Sequence, residues 1–243
     1  MNMTDLPSKT LRDFTTARVG LGRAGNSLTT REQLALQLAH ARAREAVHSE
    51  LDVASLRLDL KYPAVTVQSA APDRAAYVLR PDLGRRLDDA SREAVSSRKG
   101  RFDAVFVIAD GLSARAVQQH AAPVIEATLG LITRADWSFA PFVVARQGRV
   151  AIGDEIGECI GAALAVVLIG ERPGMSSPDS LGIYLSWNPR AGLTDADRNC
   201  ISNIRAAGLS YATAAHKLVF LMTESRRRKL SGVHLKEGGK ALE

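Results

Sequence analysis

The stretch Phe142–Met175, FVVARQGRVAIGDEIGECIGAALAVVLIGERPGM, decides the fold of this chain. It carries two apolar runs, Phe142–Ala145 and Ala163–Ile169, rich in Val, Ile and Leu. Neither run alternates with polar residues, the pattern of strands buried on both faces of a parallel sheet. Between them, Asp154–Gly161 sets Ile156 and Ile160 four apart, on one helical face. A turn follows each run, first Gln147-Gly148 and then Gly170-Glu171-Arg172-Pro173-Gly174. Strand, helix, strand is a βαβ unit, and the loop after its second strand is where open α/β sheets bind ligands.

The flanks repeat the theme. Asp103–Ala109 (DAVFVIA) reads as a first strand and leads into Asp110-Gly111-Leu112-Ser113. Ser113 then caps a helix through Leu131, in which Pro123 forces a kink or a restart. Leu181–Trp187 is a further strand, followed by the turn Asn188-Pro189-Arg190. Thr194 or Asp195 caps a helix containing Cys200, Ile201 and Ile204, ended by Gly208. Tyr211–Arg228 is a long last helix with Ala215, Leu218, Val219 and Met222 on its apolar face.

Toward the N-terminus, Arg80–Leu87 opens a helix that ends near Ser97, with Pro81 in its first turn. Val65–Gln68 and Ala76–Leu79 are short strand-like pieces around the turn Ala71-Pro72-Asp73. Thr29 or Thr30 caps a helix running to about Ser49, with Leu34 and Leu38 on one stripe, and Asp52–Leu60 suggests a second short helix. Strand, short polar loop and helix in repetition predict an α/β, doubly wound, mainly parallel sheet. The expected boundary falls near residue 75, between a smaller, mostly helical N-terminal domain (1–75) and the α/β domain (76–243).

Composition narrows the class. At 243 residues, 46% hydrophobic and 24% charged, the chain has the make-up of a globular protein with a sizeable core. No apolar run reaches the roughly 18 residues of a membrane span, and Met1–Gly20 lacks the apolar region of a secretory signal. Two cysteines, Cys159 and Cys200, make no disulfide framework, and a reducing cytoplasm is the default. A net charge of +6 invites nucleic acid, but the basic residues are spread out and only 5% of residues are aromatic. The one basic block, Arg226–Lys229, reads as a solvated helix end, where cations belong.

Several motifs fail on context. Gly20–Gly25 matches G-x-G-x-x-G, but the segment before it, Asp13–Val19, is too polar for the buried strand the fingerprint needs. Read as a phosphate-binding loop, it has Asn26 where lysine is required. A flexible glycine-rich contact loop remains. The five histidines, His40, His48, His120, His216 and His234, form no ligand cluster, and the cysteines lack zinc spacing, so by themselves they read as small core residues. Asp110-Gly111-Leu112-Ser113 either faces a ligand or caps the following helix, and the sequence leaves both open. Glu171, at the carboxyl end of a central strand, stands where ligands bind, or is a solvated loop carboxylate. No carboxylate pair or Ser/His/Asp set is visible, which argues for a cofactor-holding or partner-dependent chain.

Taken in order, several blocks resemble one family, the small (light) subunit of ethanolamine ammonia-lyase. They are Thr16–Gly20 (TARVG), Gly22–Gly25 (GRAG), Arg80–Leu87 (RPDLGRRL), Ile108–Ser113 (IADGLS), Gly148–Val150 (GRV) and Asp154–Gly157 (DEIG). Most specific are Gly170–Gly174 (GERPG) and Asp197–Ile204 (DRNCISNI), and the match spans about Thr15 to Val233. The resemblance implies an adenosylcobalamin-dependent lyase that converts ethanolamine to acetaldehyde and ammonia. It implies a Rossmann-like domain laid over the corrin, with a large (heavy) subunit holding substrate and most of the radical chemistry in a hetero-oligomer. The family's cobalamin contacts on this subunit match Val150, Glu171 and Cys200, so Cys200 is expected to touch the cofactor. No catalytic acid or base and no metal ligand is assigned to this chain, and no nucleic acid or membrane is implied. Localisation would be the cytoplasm or a bacterial microcompartment. The match begins so near Met1 that little room is left for an encapsulation peptide. A stand-alone nucleotide-binding enzyme using Gly20–Gly25, and a purely structural partner subunit, are the readings from other classes.

Overall fold

The computed structural model describes residues 14–15, 17–56, 63–133 and 136–236. Unbroken Val/Ile runs become strands. β3 (Ala64–Gln68), β4 (Phe102–Ala109), β5 (Phe142–Arg146), β6 (Ala162–Gly170), β7 (Leu181–Trp187) and β8 (Arg198–Ile204) form a six-stranded sheet. Its order is β3-β5-β4-β6-β7-β8. The first four of these are mutually parallel, with pairs such as Val107 with Val143 and Val107 with Val167. β7 and β8 add antiparallel at one edge. The result is a mixed sheet in an α/β fold. A small separate hairpin, β1 (Arg23–Ala24) with β2 (Ser27–Leu28), lies N-terminal to it. β3 precedes residue 75 and joins the same sheet as the strands that follow it.

Alternate strand residues face opposite sides, and each side has its own core. On one side Phe106, Ile108, Val144, Val166 and Ile183 meet α4 (Ala114–Leu131) and α6 (Tyr211–Arg228), through Val117, Val124, Leu218 and Met222. On the other, Val67, Val107, Val143 and Val167 meet Ile152, Ile156 and Ile160 of α5 (Ile152–Ile160), with Val95 of α3 (Asp89–Ser96). The second core stops at β6. Of β7 and β8, only a half-buried Tyr184 reaches it. On that side α5 reaches β7 and β8 through Asp154, which meets Ser186 and Arg198, while Tyr184 is half-buried and Cys200 exposed.

The central expectations hold. Both runs of the opening stretch are strands, the helix between them is α5, and Gly161 ends it in the left-handed conformation. Ser113 is the N-cap of α4, as expected, but Pro123 does not restart the helix, which runs unbroken through it. α1 (Thr30–His48) has Thr29 as its N-cap, as expected. Much of its apolar stripe is uncovered among the described residues. Leu34 and Leu38 are 59% and 51% exposed, and Ala46 is the only buried residue of the helix.

Three expectations are corrected. Ala76–Leu79 is not a strand but most of α2 (Arg74–Leu79), because Asp73 accepts from the Ala76 N–H and starts a helix. Asp73→Ala is therefore expected to cost about 0.5–2 kcal/mol, read as a lower denaturant midpoint. The helix expected from Arg80 resolves into one 3₁₀ turn, Leu83–Arg85, and then α3, capped by Asp88. The segment holding Cys200 is the edge strand β8, not a helix. Thr194 and Asp197 close a capping box over a single 3₁₀ turn, after which the chain pairs with β7. The expected helix at Asp52–Leu60 shows a turn at Val53–Ser55; residues 57–62 lie outside the described residues.

Candidate functional site

The carboxyl ends of the parallel strands share one edge of the sheet. Three loops leave it: 110–113 after β4, 147–151 after β5 and 171–180 after β6. Glu171 is the first residue beyond β6, and its N–H donates to the Ser180 carbonyl at 2.9 Å. Its Oε2 is held by the Ser180 hydroxyl and by the Asn203 N–H at 3.3 Å. Oε1 accepts no hydrogen bond among the described residues and lies over Gly182, where a Cβ would sit 2.9 Å from it. The absence of a side chain at Gly182 is what lets the carboxylate lie there. One oxygen is thus fixed by the protein and the other is presented.

Beside Gly182 the same face of β7 carries Tyr184, and its register partner on β8 is Cys200. The Tyr184 phenol and the Cys200 thiol are thus neighbours across the β7–β8 ladder. Burial against this face pushes both the phenol and the thiol up, and the Glu171 charge adds to both shifts. Cys200 is an exposed residue nonetheless. Glu171 and Cys200 are therefore brought to one open face, around Tyr184. With its pKa raised, the thiol stays protonated through neutral pH. Alkylation of Cys200 by iodoacetamide at pH 8, followed by mass spectrometry, is expected to run slower than that of a free thiol and to rise only at higher pH.

Val150 lies apart from this face. It is half-buried in the turn before α5, its carbonyl accepting from the Gly153 N–H at 3.1 Å. It opens on a cleft of about 930 Å³ lined also by Arg85, Arg149, Cys159 and Arg198. Neither Glu171 nor Cys200 lines that cleft. An ion pair stands between the two places. Arg198, two residues before Cys200 on β8, bonds the Asp154 carboxylate on α5, with Asp195 Oδ1 at 3.0 Å and the Leu193 carbonyl at 3.1 Å completing its partners. Ser186 Oγ donates to Asp154 at 3.3 Å. Burial pushes the Asp154 carboxyl up, and the Arg198 guanidinium pulls it back.

The sequence reading missed Tyr184 and the Asp154–Arg198 pair. Tyr184 had a signal, since Leu181, Ile183 and Leu185 are the buried alternation and leave Gly182 and Tyr184 on the other face. The ion pair joins residues 44 apart and had none.

The remaining motifs fall outside this site. Gly20–Gly25 leads into and turns the β1–β2 hairpin, with Gly25 in its turn, so its glycines do not form a strand-to-helix phosphate cradle. Cys159 is half-buried against the second core. Arg226–Lys229 ends α6, as read. Among the described residues no cluster of three or more His, Cys, Asp or Glu could hold a metal, and no helix is long and apolar enough to cross a membrane.

Known proteins match this chain along nearly all its length. Residues 6–236 fit the family model of the ethanolamine ammonia-lyase light chain. The ethanolamine ammonia-lyase small subunit of Pseudomonas paraeruginosa is 54% identical over 234 residues, covering 93% of this chain and 86% of that one. The small subunit of Ralstonia nicotianae is 53% identical over 242 residues, 97% of this chain and 90% of its own. That of Azotobacter vinelandii is 53% identical over 241 residues, with 96% and 89% covered. The chain belongs to the ethanolamine ammonia-lyase light-chain family and is the small-subunit component of that lyase.

Proposed function

We propose that this subunit clamps adenosylcobalamin against a large subunit, in an enzyme that deaminates ethanolamine to acetaldehyde and ammonia. The observation that carries the reading is the presented Oε1 of Glu171 over the bare Gly182. The corrin edge bears carboxamides, whose N–H groups need acceptors and whose oxygens need donors. A carboxylate with one oxygen tied back and one free suits such a group, and Tyr184 and Cys200 add half-apolar surface on the same side. Val150 offers an apolar contact from the turn before α5. When bound, the cofactor supplies the radical through its cobalt–carbon bond. The residues of this chain bind, orient and exclude water, and none acts as acid or base. The sheet order, with the site beyond the strand ends, suits a Rossmann-like, doubly wound domain.

The large subunit would meet the N-terminal part, residues 1–75, above all α1. Leu34 and Leu38 are exposed there, and a groove of about 660 Å³ is lined by Leu36, Ala41 and Met175. Exposed apolar stripes of this kind mark interaction sites. Met175 sits in the same loop as Glu171, which would place the cofactor next to the subunit junction. The test is cobalamin retention. Cyanocobalamin should co-elute with the co-expressed pair in gel filtration, and far less with an equally assembled Glu171→Ala pair. Equal retention would remove Glu171 from the site.

A further inference from the structure

We infer that Asp110 is a positioning residue that fixes the spacing of the two cofactor-facing loops, acting from the end of the central strand β4. The inference rests on the cofactor reading above. The loop Asp110-Gly111-Leu112-Ser113 is tied on both flanks. Toward Val150, the Asp110 carboxylate accepts the Gln147 N–H at 2.9 Å and the Gly148 N–H at 3.0 Å. Gln147 is held there at φ +55, a left-handed conformation a side chain rarely adopts. Arg74 Nη1 closes the cluster, 3.5 Å from Asp110 and 3.3 Å from the Gln147 side chain.

Toward Glu171, the Leu112 N–H donates to the Gly170 carbonyl at 3.0 Å, and Ser113 Oγ donates to the Pro178 carbonyl at 2.8 Å. The approach is close enough that a Cβ at Gly111 would lie 2.2 Å from the Gly170 oxygen. Asp110 and Ser113 are 2% and 0% exposed, so neither faces a ligand. Ser113 caps α4. Asp110 does not cap; both its oxygens serve the loop that carries Val150. A buried carboxylate with two backbone donors and a guanidinium is costly to keep, since burial pushes its carboxyl up against those partners. Its geometric product is one fixed separation between Val150 and Glu171.

Asp110→Asn keeps the shape but turns one acceptor into a donor that faces a backbone N–H. The experiment uses the co-expressed pair, with adenosylcobalamin titrated in the ammonia-release assay and hydrogen exchange followed with and without cyanocobalamin. Asp110→Asn is expected to raise the KM for adenosylcobalamin about tenfold, while kcat at saturation falls less than about threefold. In the cofactor-free pair, exchange should rise at both 147–151 and 171–178. Ser113→Ala, which frees the Pro178 side and uncaps α4 but leaves the Asp110 ties in place, should raise exchange at 171–178 and at the start of α4 but not at 147–151, and serves if Asp110→Asn does not assemble. A KM at the wild-type value, or a lower melting temperature with KM unchanged, would overturn the positioning role. If cyanocobalamin gave no protection at Val150 and Glu171 in the wild-type pair, the cofactor reading itself would fall and this inference with it.

Discussion

Glu171→Ala, carried on the small chain of an assembled pair, is expected to raise the KM for adenosylcobalamin by about 10–100-fold. Two losses combine. The presented Oε1 disappears, and the Ser180 hydroxyl and Asn203 N–H lose the oxygen that held them. Hydrogen bonds to charged groups are worth about 1.5–3 kcal/mol, which sets the range. Glu171→Gln keeps one carbonyl oxygen and should fall between wild type and alanine. The comparison needs only steady-state assays over a cofactor titration, with assembly checked by gel filtration. A KM for the alanine variant within about twofold of wild type would mean that Glu171 is a loop anchor rather than a contact.

Asp154→Ala is the largest stability change expected away from the cofactor. The Arg198 side chain is 4% exposed, and its Nε already lacks a partner. Removing Asp154 would leave the buried guanidinium with only the exposed Asp195 as a charged partner. Breaking such a pair costs about 3–5 kcal/mol, and in a chain of this size the melting temperature should fall on the order of 10 °C. Asp154→Leu combined with Arg198→Met, which removes both charges, should recover most of the loss. Thermal melts of the single and double variants decide it. A single-variant cost under about 1 kcal/mol would show that water reaches the site and screens Arg198. Because the pair ties α5 to β8, its loss should also loosen the relation between Val150 and Cys200.

The centre of the sheet was legible because β4, β5 and β6 are buried on both faces. Phe142–Ala145, Ala163–Ile169 and Asp103–Ala109 carry little or no polar alternation, and no other element suits runs of that length. The errors lie where local signals compete. Ala76–Leu79 looks β-like by composition, but the Asp73 side chain fixes a helical start that composition does not encode. Arg198–Ile204 carries a capping signal just upstream, yet that signal is spent on one 3₁₀ turn, and pairing with β7 decides the rest. Leu34 and Leu38 read as one stripe of a helix; nothing in the sequence signals that both stay exposed among the described residues. At the site, Val150, Glu171 and Cys200 came from family resemblance. Only the position of Glu171 after a central strand was readable from the residues themselves. Gly182 and Tyr184 followed from strand alternation once β7 was placed. The ties of Asp110 to the Gln147 loop join distant segments and leave no local trace.

The most direct test of the clamp is ammonia release from ethanolamine in the presence of adenosylcobalamin, measured for this chain alone, the large subunit alone and the two co-expressed. The account predicts activity in the co-expressed sample only. Full activity of the large subunit by itself, or an assembled pair that stays inactive with cofactor and substrate, would contradict it.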